Sequence, residues 1–266
     1  MIAPSAPVKL KTHQDTAGAG TALSLASQFE FGLRPGCIRS TFLSSSAGRL
    51  EAVLNEGEPD APFAALVCHP HPVFGGTLDN RVVYHAMKAL NDAEWGLGWP
   101  VLRFNFRGTG LSEGSHHGEA EVDDVLAALK WLEREFERPV VVAGFSFGAA
   151  MALHACRRLL RAGDGEQNGT DNQKRPTAGA LIALGLPLRV DLPAYHFAFL
   201  DEITIPKLFL SGDSDEFASV DQLEQLIASA AEPKQLTILP GADHFFSAQI
   251  EPMQRTIASW VKEQLL

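Results

Sequence analysis

The chain has 266 residues, 45% of them hydrophobic and 20% charged, which fits one large α/β domain or two small ones. Its net charge of −10 and pI near 5.3 argue against nucleic acid and against an anionic membrane surface, since both attract basic patches. No uncharged apolar run is long enough to span a bilayer, and the start Met1-Ile2-Ala3-Pro4-Ser5 lacks the basic-then-apolar pattern of a secretory leader. The three cysteines, Cys37, Cys68 and Cys156, are odd in number and scattered, so reduced thiols and a cytoplasmic location are expected.

Residues 1 to 30 are rich in Ala, Ser, Thr, Gly and Pro without periodicity, which predicts a flexible tail ahead of one domain at 31 to 266. Ile38 to Leu43 and Arg49 to Leu54 read as strands flanking a hairpin turn at Ser44-Ser45-Ser46-Ala47-Gly48. Phe63 to Cys68 is a buried strand. Val82 to Leu90 is a helix capped by Asp79 or Asn80. Val101 to Phe106 is a strand, and Glu119 to Glu137 a helix with Val122, Val125, Leu126, Leu129 and Leu132 on one face. Pro139 to Ala143 is the next strand, and Ala149 onward the next helix. Arg161 to Pro176 is a polar surface connection. Ala178 to Leu184, Lys207 to Ser211 and Gln235 to Leu239 are strands, while Val220 to Ala230 and Ser247 to Leu266 are helices. Alternating strands and helices predict an α/β fold: a mainly parallel twisted sheet with helices on both faces and an antiparallel N-terminal hairpin at one edge.

Between the strand and the helix at its centre lies Gly144-Phe145-Ser146-Phe147-Gly148. A serine on so sharp a turn projects its hydroxyl from the sheet edge, and the glycines remove Cβ atoms where strand and helix pass close. A bare G-x-S-x-G match is weak; its strand-turn-helix setting is what strengthens it. A serine hydroxyl needs a base within hydrogen-bond reach, and the base needs an orienting acid. His244 follows the last predicted strand, in Pro240-Gly241-Ala242-Asp243-His244-Phe245-Phe246, where open α/β sheets place their sites. Taken alone it reads equally well as a surface histidine. The acid lies in Ser211-Gly212-Asp213-Ser214-Asp215-Glu216. Asp215 is preferred over Asp213, because an acid further from the strand end can bend back toward the histidine; Asp213 can instead brace the loop. Asp243 is too close to His244 in sequence to reach its ring easily.

Anion stabilisation needs the Phe147 N–H and a second one from the loop His69-Pro70-His71-Pro72-Val73-Phe74-Gly75-Gly76. Proline has no N–H, so His71 and Val73 remain as donors. His69 and His71 also form an H-x-H pair, but no third ligand pattern accompanies it, so no metal and no cofactor are expected. His116 and His117 read as a solvated loop pair. Arg107, in a glycine-rich turn without G-K-[ST], reads as a loop brace.

Together these pieces resemble the α/β-hydrolase superfamily over Ile38 to Leu266. Four segments narrow the resemblance: His69-Pro70-His71-Pro72 through Asp79-Asn80, Phe106 to Ser112, Gly144 to Gly148, and Asp243 to Phe246. They look like those of a small bacterial branch of lidless hydrolases related to dienelactone hydrolases. The resemblance implies Ser146 as nucleophile, Asp215 as acid and His244 as base. Dienelactone enzymes use cysteine as nucleophile, so their substrate is not carried over to Ser146. The interval Gly185 to Pro206, with Tyr195, Phe197, Phe199 and Leu200, can cover the mouth as a flap but is too short for a helical cap, leaving a fairly open site with walls from Phe74, Phe145, Phe147 and Phe245. The expected function is cleavage of small esters or thioesters through an acyl-enzyme, with a small acyl compound as partner. A peptidase or acyltransferase on the same residues is the runner-up, and a non-catalytic binding protein that keeps the fold is the alternative of another class.

Overall fold

A computed structural model of the protein describes residues 36–164, 177–190 and 195–266. The predicted tail at 1 to 30 and most of the connection at 161 to 176 lie outside the described residues. Eight strands form one sheet, ordered β1-β2-β4-β3-β5-β6-β7-β8. They are β1 (Ile38–Ser45), β2 (Gly48–Asn55), β3 (Ala64–Cys68), β4 (Val101–Phe104), β5 (Val140–Phe145), β6 (Ala178–Leu184), β7 (Lys207–Gly212) and β8 (Lys234–Leu239). The pairs β1–β2 and β2–β4 are antiparallel and every other pair is parallel.

The central strands are short runs of Ala, Val and Leu, buried on both faces as parallel strands must be. Alternate residues serve two separate cores. Ala64, Leu66 and Cys68 of β3 face α2 (Glu121–Phe136), α3 (Phe147–Asp164) and α4 (Val220–Ala228). Ala65 and Val67 face α1 (Arg81–Asn91) and α5 (Ile250–Leu265). The resulting α/β architecture is the one expected, with helices on both faces and the hairpin at one edge.

Where boundaries differ from expectation, a particular hydrogen bond decides. The hairpin is tighter, because the strands pair through Ser45 and Gly48 and leave only Ser46 and Ala47 at the tip. Asn80, not Asp79, caps α1, its Oδ1 accepting the Val82 and Val83 N–H groups. Strand β4 stops at Phe104, since the Phe106 N–H donates sideways to His69 Nε2 at 3.0 Å. Helix α2 begins at Glu121, whose carboxylate takes the N–H groups of His117 and Gly118. Helix α5 begins at Ile250 because Ser247 donates its N–H to Asp243 in the preceding turn.

The loop after β4 is anchored to α2 by an ion pair. Arg107 donates through Nε and Nη2 to the two oxygens of buried Asp124, at 2.9 and 2.7 Å, and its backbone N–H joins them at 3.0 Å. This is the brace expected of Arg107. Removing one partner strands the other charge away from water. Asp124→Ala is therefore expected to cost about 3 kcal/mol of stability, read as a lower urea midpoint.

Candidate active site

Ser146 occupies the one residue between β5 and α3, with φ +54°. A non-glycine residue there is strained by roughly 1–3 kcal/mol and persists only where its surroundings over-determine it. They do so here. The Ser146 N–H donates to the Leu184 carbonyl of β6 at 2.9 Å. A Cβ on Gly144 would sit 2.3 Å from the Gly148 carbonyl oxygen, and one on Gly148 2.4 Å from that of Cys68. Phe147 opens α3, so its N–H has no acceptor one turn back in the helix.

His244 comes from the loop after β8 and is buried. Its Nε2 lies 3.1 Å from Ser146 Oγ, and its Nδ1 lies 2.9 Å from Asp215 Oδ2. Asp215 also accepts from Ser211 Oγ and from the Phe217 N–H, at 3.1 and 2.8 Å. An ionised carboxylate only accepts, so Nδ1 carries the proton and Nε2 is left to accept from the serine. The other two acids are occupied elsewhere. Asp213 braces the loop, taking the Gly241 N–H and Ser214 Oγ. Asp243 takes the Ser247 N–H, which holds its carboxyl below the usual range. The imidazole is wedged between Phe145, Phe217 and Phe245, with ring centroids 5.0, 4.5 and 5.2 Å away. Gly185, with φ +52°, passes so near that a Cβ would lie 3.2 Å from the ring. Neither Phe217 nor Gly185 stood out in the sequence. A glycine directly after strand β6 was the only hint.

The loop after β3 runs beside Ser146. His71 Nδ1 accepts the Val73 N–H at 3.2 Å and caps a 3-10 turn at Pro72–Phe74. That bond removes Val73 as an anion donor and leaves the backbone N–H of His71. His69 is fully buried. Its Nδ1–H donates to the Pro70 carbonyl at 2.7 Å, and its Nε2 accepts from Phe106 N–H. Both nitrogens of His69 are thus engaged by protein groups, so the H-x-H pair is a loop clamp. Burial holds the His69 pKa down to about 4, and burial also lowers that of His71.

Three sequence expectations are corrected. Phe145 and Phe147 are fully buried and support the site from below instead of walling it. Phe145 lies under His244, and Phe147 lies 5.0 Å from the His71 ring. His116 is only partly exposed: its ring packs on His71 and Phe147, with Nδ1 2.8 Å from the buried carboxylate of Glu121. Phe197, Phe199 and Leu200 turn into the core instead of covering the mouth.

Above Ser146 opens a cleft of about 350 Å³. Phe74 and Phe245 wall it as expected, joined by Val190, Tyr195 and Phe217, with Asn80 as a polar neighbour. The interval 185–206 holds no α-helix among its described residues. Chemically, the site offers a hydroxyl that can give up its proton to an oriented imidazole, beside the unpartnered first turn of a helix.

Residues 75–262 match the family model of the alpha/beta hydrolase domain. The chain belongs to the α/β-hydrolase family. The hydrolase is 33% identical over 229 residues to an uncharacterized protein of Rickettsia prowazekii (strain Madrid E), covering 83% of this chain and 87% of that one. It is 31% identical over 200 residues to one from Mycobacterium tuberculosis, covering 68% and 62%. Among solved structures it resembles an α/β serine hydrolase homologue from Coxiella burnetii (TM-score 0.69, 28% identity, 83% of this chain and 96% of that one). A serine hydrolase without lid from Xanthomonas campestris is similar (TM-score 0.70, 28% identity, 87% and 97%). No helix among the described residues is long and apolar enough to cross a membrane.

His69 links this site to folding. An unfolded histidine takes up its proton near 6.5, whereas the folded one does so only near 4. Between those values the unfolded chain binds more protons, so stability falls as pH drops through that window. His69 contributes on the order of 3 kcal/mol to the fall. His69→Asn, which does not titrate, is expected to be less stable at neutral pH but to show a flatter pH dependence between about 6.5 and 4. Urea unfolding across that range checks both parts.

Proposed function

We propose that this hydrolase is a serine esterase acting on small esters or thioesters through an acyl-enzyme. The observation that carries it is the unbroken hydrogen-bonded chain from Ser146 through His244 to Asp215, at the floor of an open cleft. Ser146 Oγ attacks the acyl carbon as its proton passes to His244 Nε2. The Asp215 carboxylate holds the ring tautomer and stabilises the imidazolium. The N–H groups of Phe147 and His71 receive the developing oxyanion. His244 then protonates the departing alcohol or thiol. Water, deprotonated by the same imidazole, attacks the acyl-serine and releases the acid. The three cysteines are free, and burial pushes the Cys156 thiol up to about 12, which fits a reducing cytoplasm and an inert thiol.

Ser146→Ala is expected to lower esterase turnover by on the order of 10⁴ to 10⁶ while leaving the fold intact. A fluorophosphonate should label the wild-type chain at Ser146, located by mass spectrometry of the peptide. Asp215→Asn should approach the same loss and Asp213→Asn should not, because Asp213 braces the loop and does not touch the imidazole. Retained activity in Ser146→Ala would overturn the proposal.

The cleft volume also limits the acyl chain. Each carbon buried against a wall adds about 0.8 kcal/mol, roughly fourfold in kcat/KM. A site without a cap stops giving that gain once its walls end. Across p-nitrophenyl esters from acetate to palmitate, kcat/KM should rise over the first few carbons and then flatten or fall.

A further inference from the structure

The cleft walls say more about the acyl group than its length. Four aromatic rings from four separate segments converge on it: Phe74 after β3, Tyr195 after β6, Phe217 after β7 and Phe245 after β8. Three of them leave much of their surface outside the core, with Phe74, Phe217 and Phe245 exposed by 87%, 36% and 49%. They are nevertheless held in place near Ser146. Phe74 lies 5.2 Å from the His71 ring, Phe217 4.5 Å and Phe245 5.2 Å from the His244 ring. The Phe217 backbone is tied to Asp215 as well.

Rings arranged in this way favour a flat partner. An aromatic acyl group meets their edges and faces in the geometry that aromatic pairs prefer. It also has few rotors to freeze, whereas an alkyl chain of the same size loses several on binding. Two polar side chains of the wall, Asn80 and Tyr195, carry no charge. Asn80 has its Oδ1 fixed by the Val82 and Val83 N–H groups, which aims its amide NH₂ away from the helix end. Burial pushes the Tyr195 hydroxyl up to about 12, so it stays protonated. No Lys or Arg is among the described lining residues, so a free carboxylate or phosphate on the acyl group would find no counter-charge. At about 30 Å³ per water-sized group, the cleft holds roughly a dozen heavy atoms.

We propose that the substrates of this site are esters whose acyl group ends in an uncharged aromatic ring, of phenylacetyl to cinnamoyl size. The proposal rests on the serine-esterase reading above and specifies its substrate class. The test compares methyl hydrocinnamate with methyl nonanoate, which share a leaving group, a saturated carbon next to the carbonyl and a heavy-atom count. The purified chain should show a kcat/KM roughly tenfold higher for the aromatic ester, the worth of about two ring contacts. A para-carboxylate on the hydrocinnamate ring should abolish that advantage. Phe74 is so exposed that replacing it does not endanger the fold, so Phe74→Leu should pull the ratio toward unity and Phe74→Tyr should keep it. Equal or reversed rates for the two esters, with Ser146 still labelled by fluorophosphonate, would overturn the aromatic proposal and leave the esterase reading standing. A ratio unchanged in Phe74→Leu would also overturn it. No labelling and no turnover of either ester would overturn both.

Discussion

The site depends on one close backbone crossing. Gly148, in the first turn of α3, lies against the carbonyls of Cys68 and His69 at the end of β3, where a Cβ would come within 2.4 and 2.5 Å of their oxygens. The contact sets the helix N-terminus that offers the Phe147 N–H directly beside the loop that offers the His71 N–H. It also sets the angle at which the chain must turn through Ser146, whose positive φ follows from it. The position of the hydroxyl and the spacing of the two proposed donors are therefore fixed together. A larger residue at Gly148 would move all three at once.

Around that crossing, buried polar groups hold loops that carry no regular structure of their own. His69 joins the loop after β3 to the loop after β4, and Arg107 joins the latter to α2 through Asp124. Arg103 and Asn105 reach the backbone at Leu78, at the far end of the first loop, and Asn105 in turn reaches Glu51 on the hairpin. Unpaired, each of these groups would be costly to bury, so the fold tolerates them only in this arrangement. For the proposed mechanism this is the physical basis of pre-organisation: the proposed loop donor is held in position before any substrate arrives.

The second half of the site is held by rings. His244 has no regular element around it, and its orientation comes from Asp215 on one edge and from phenylalanines above and below. Two of them, Phe217 and Phe245, also border the cleft, so rings that steady His244 shape the space above Ser146. In the proposed mechanism, such shared use couples substrate fit to the geometry of the proton transfer.

Local pattern was enough to determine much of this protein. Runs of Ala, Val and Leu marked the parallel strands, amphipathic spacing marked the helices, and Gly144 and Gly148 around Ser146 marked the elbow, because these signals act over a few residues. Position just after a strand also singled out His244, and distance from the strand end put Asp215 ahead of Asp213. Tertiary structure decided what depends on distant partners. Ser146 and His244 are 98 positions apart, and their 3.1 Å contact exists only because β5 and β8 end at the same edge of one sheet. Phe145 and Phe147 were expected to be walls and lie in the cores, since the sharp turn at Ser146 sends its neighbours' side chains inward. His116 was expected in solvent and packs on His71, drawn in by a buried Glu121 that no local pattern reveals. Periodicity reports which side of its own strand or helix a residue faces; what stands across from that side is set by sheet order and by the close contacts that glycine permits.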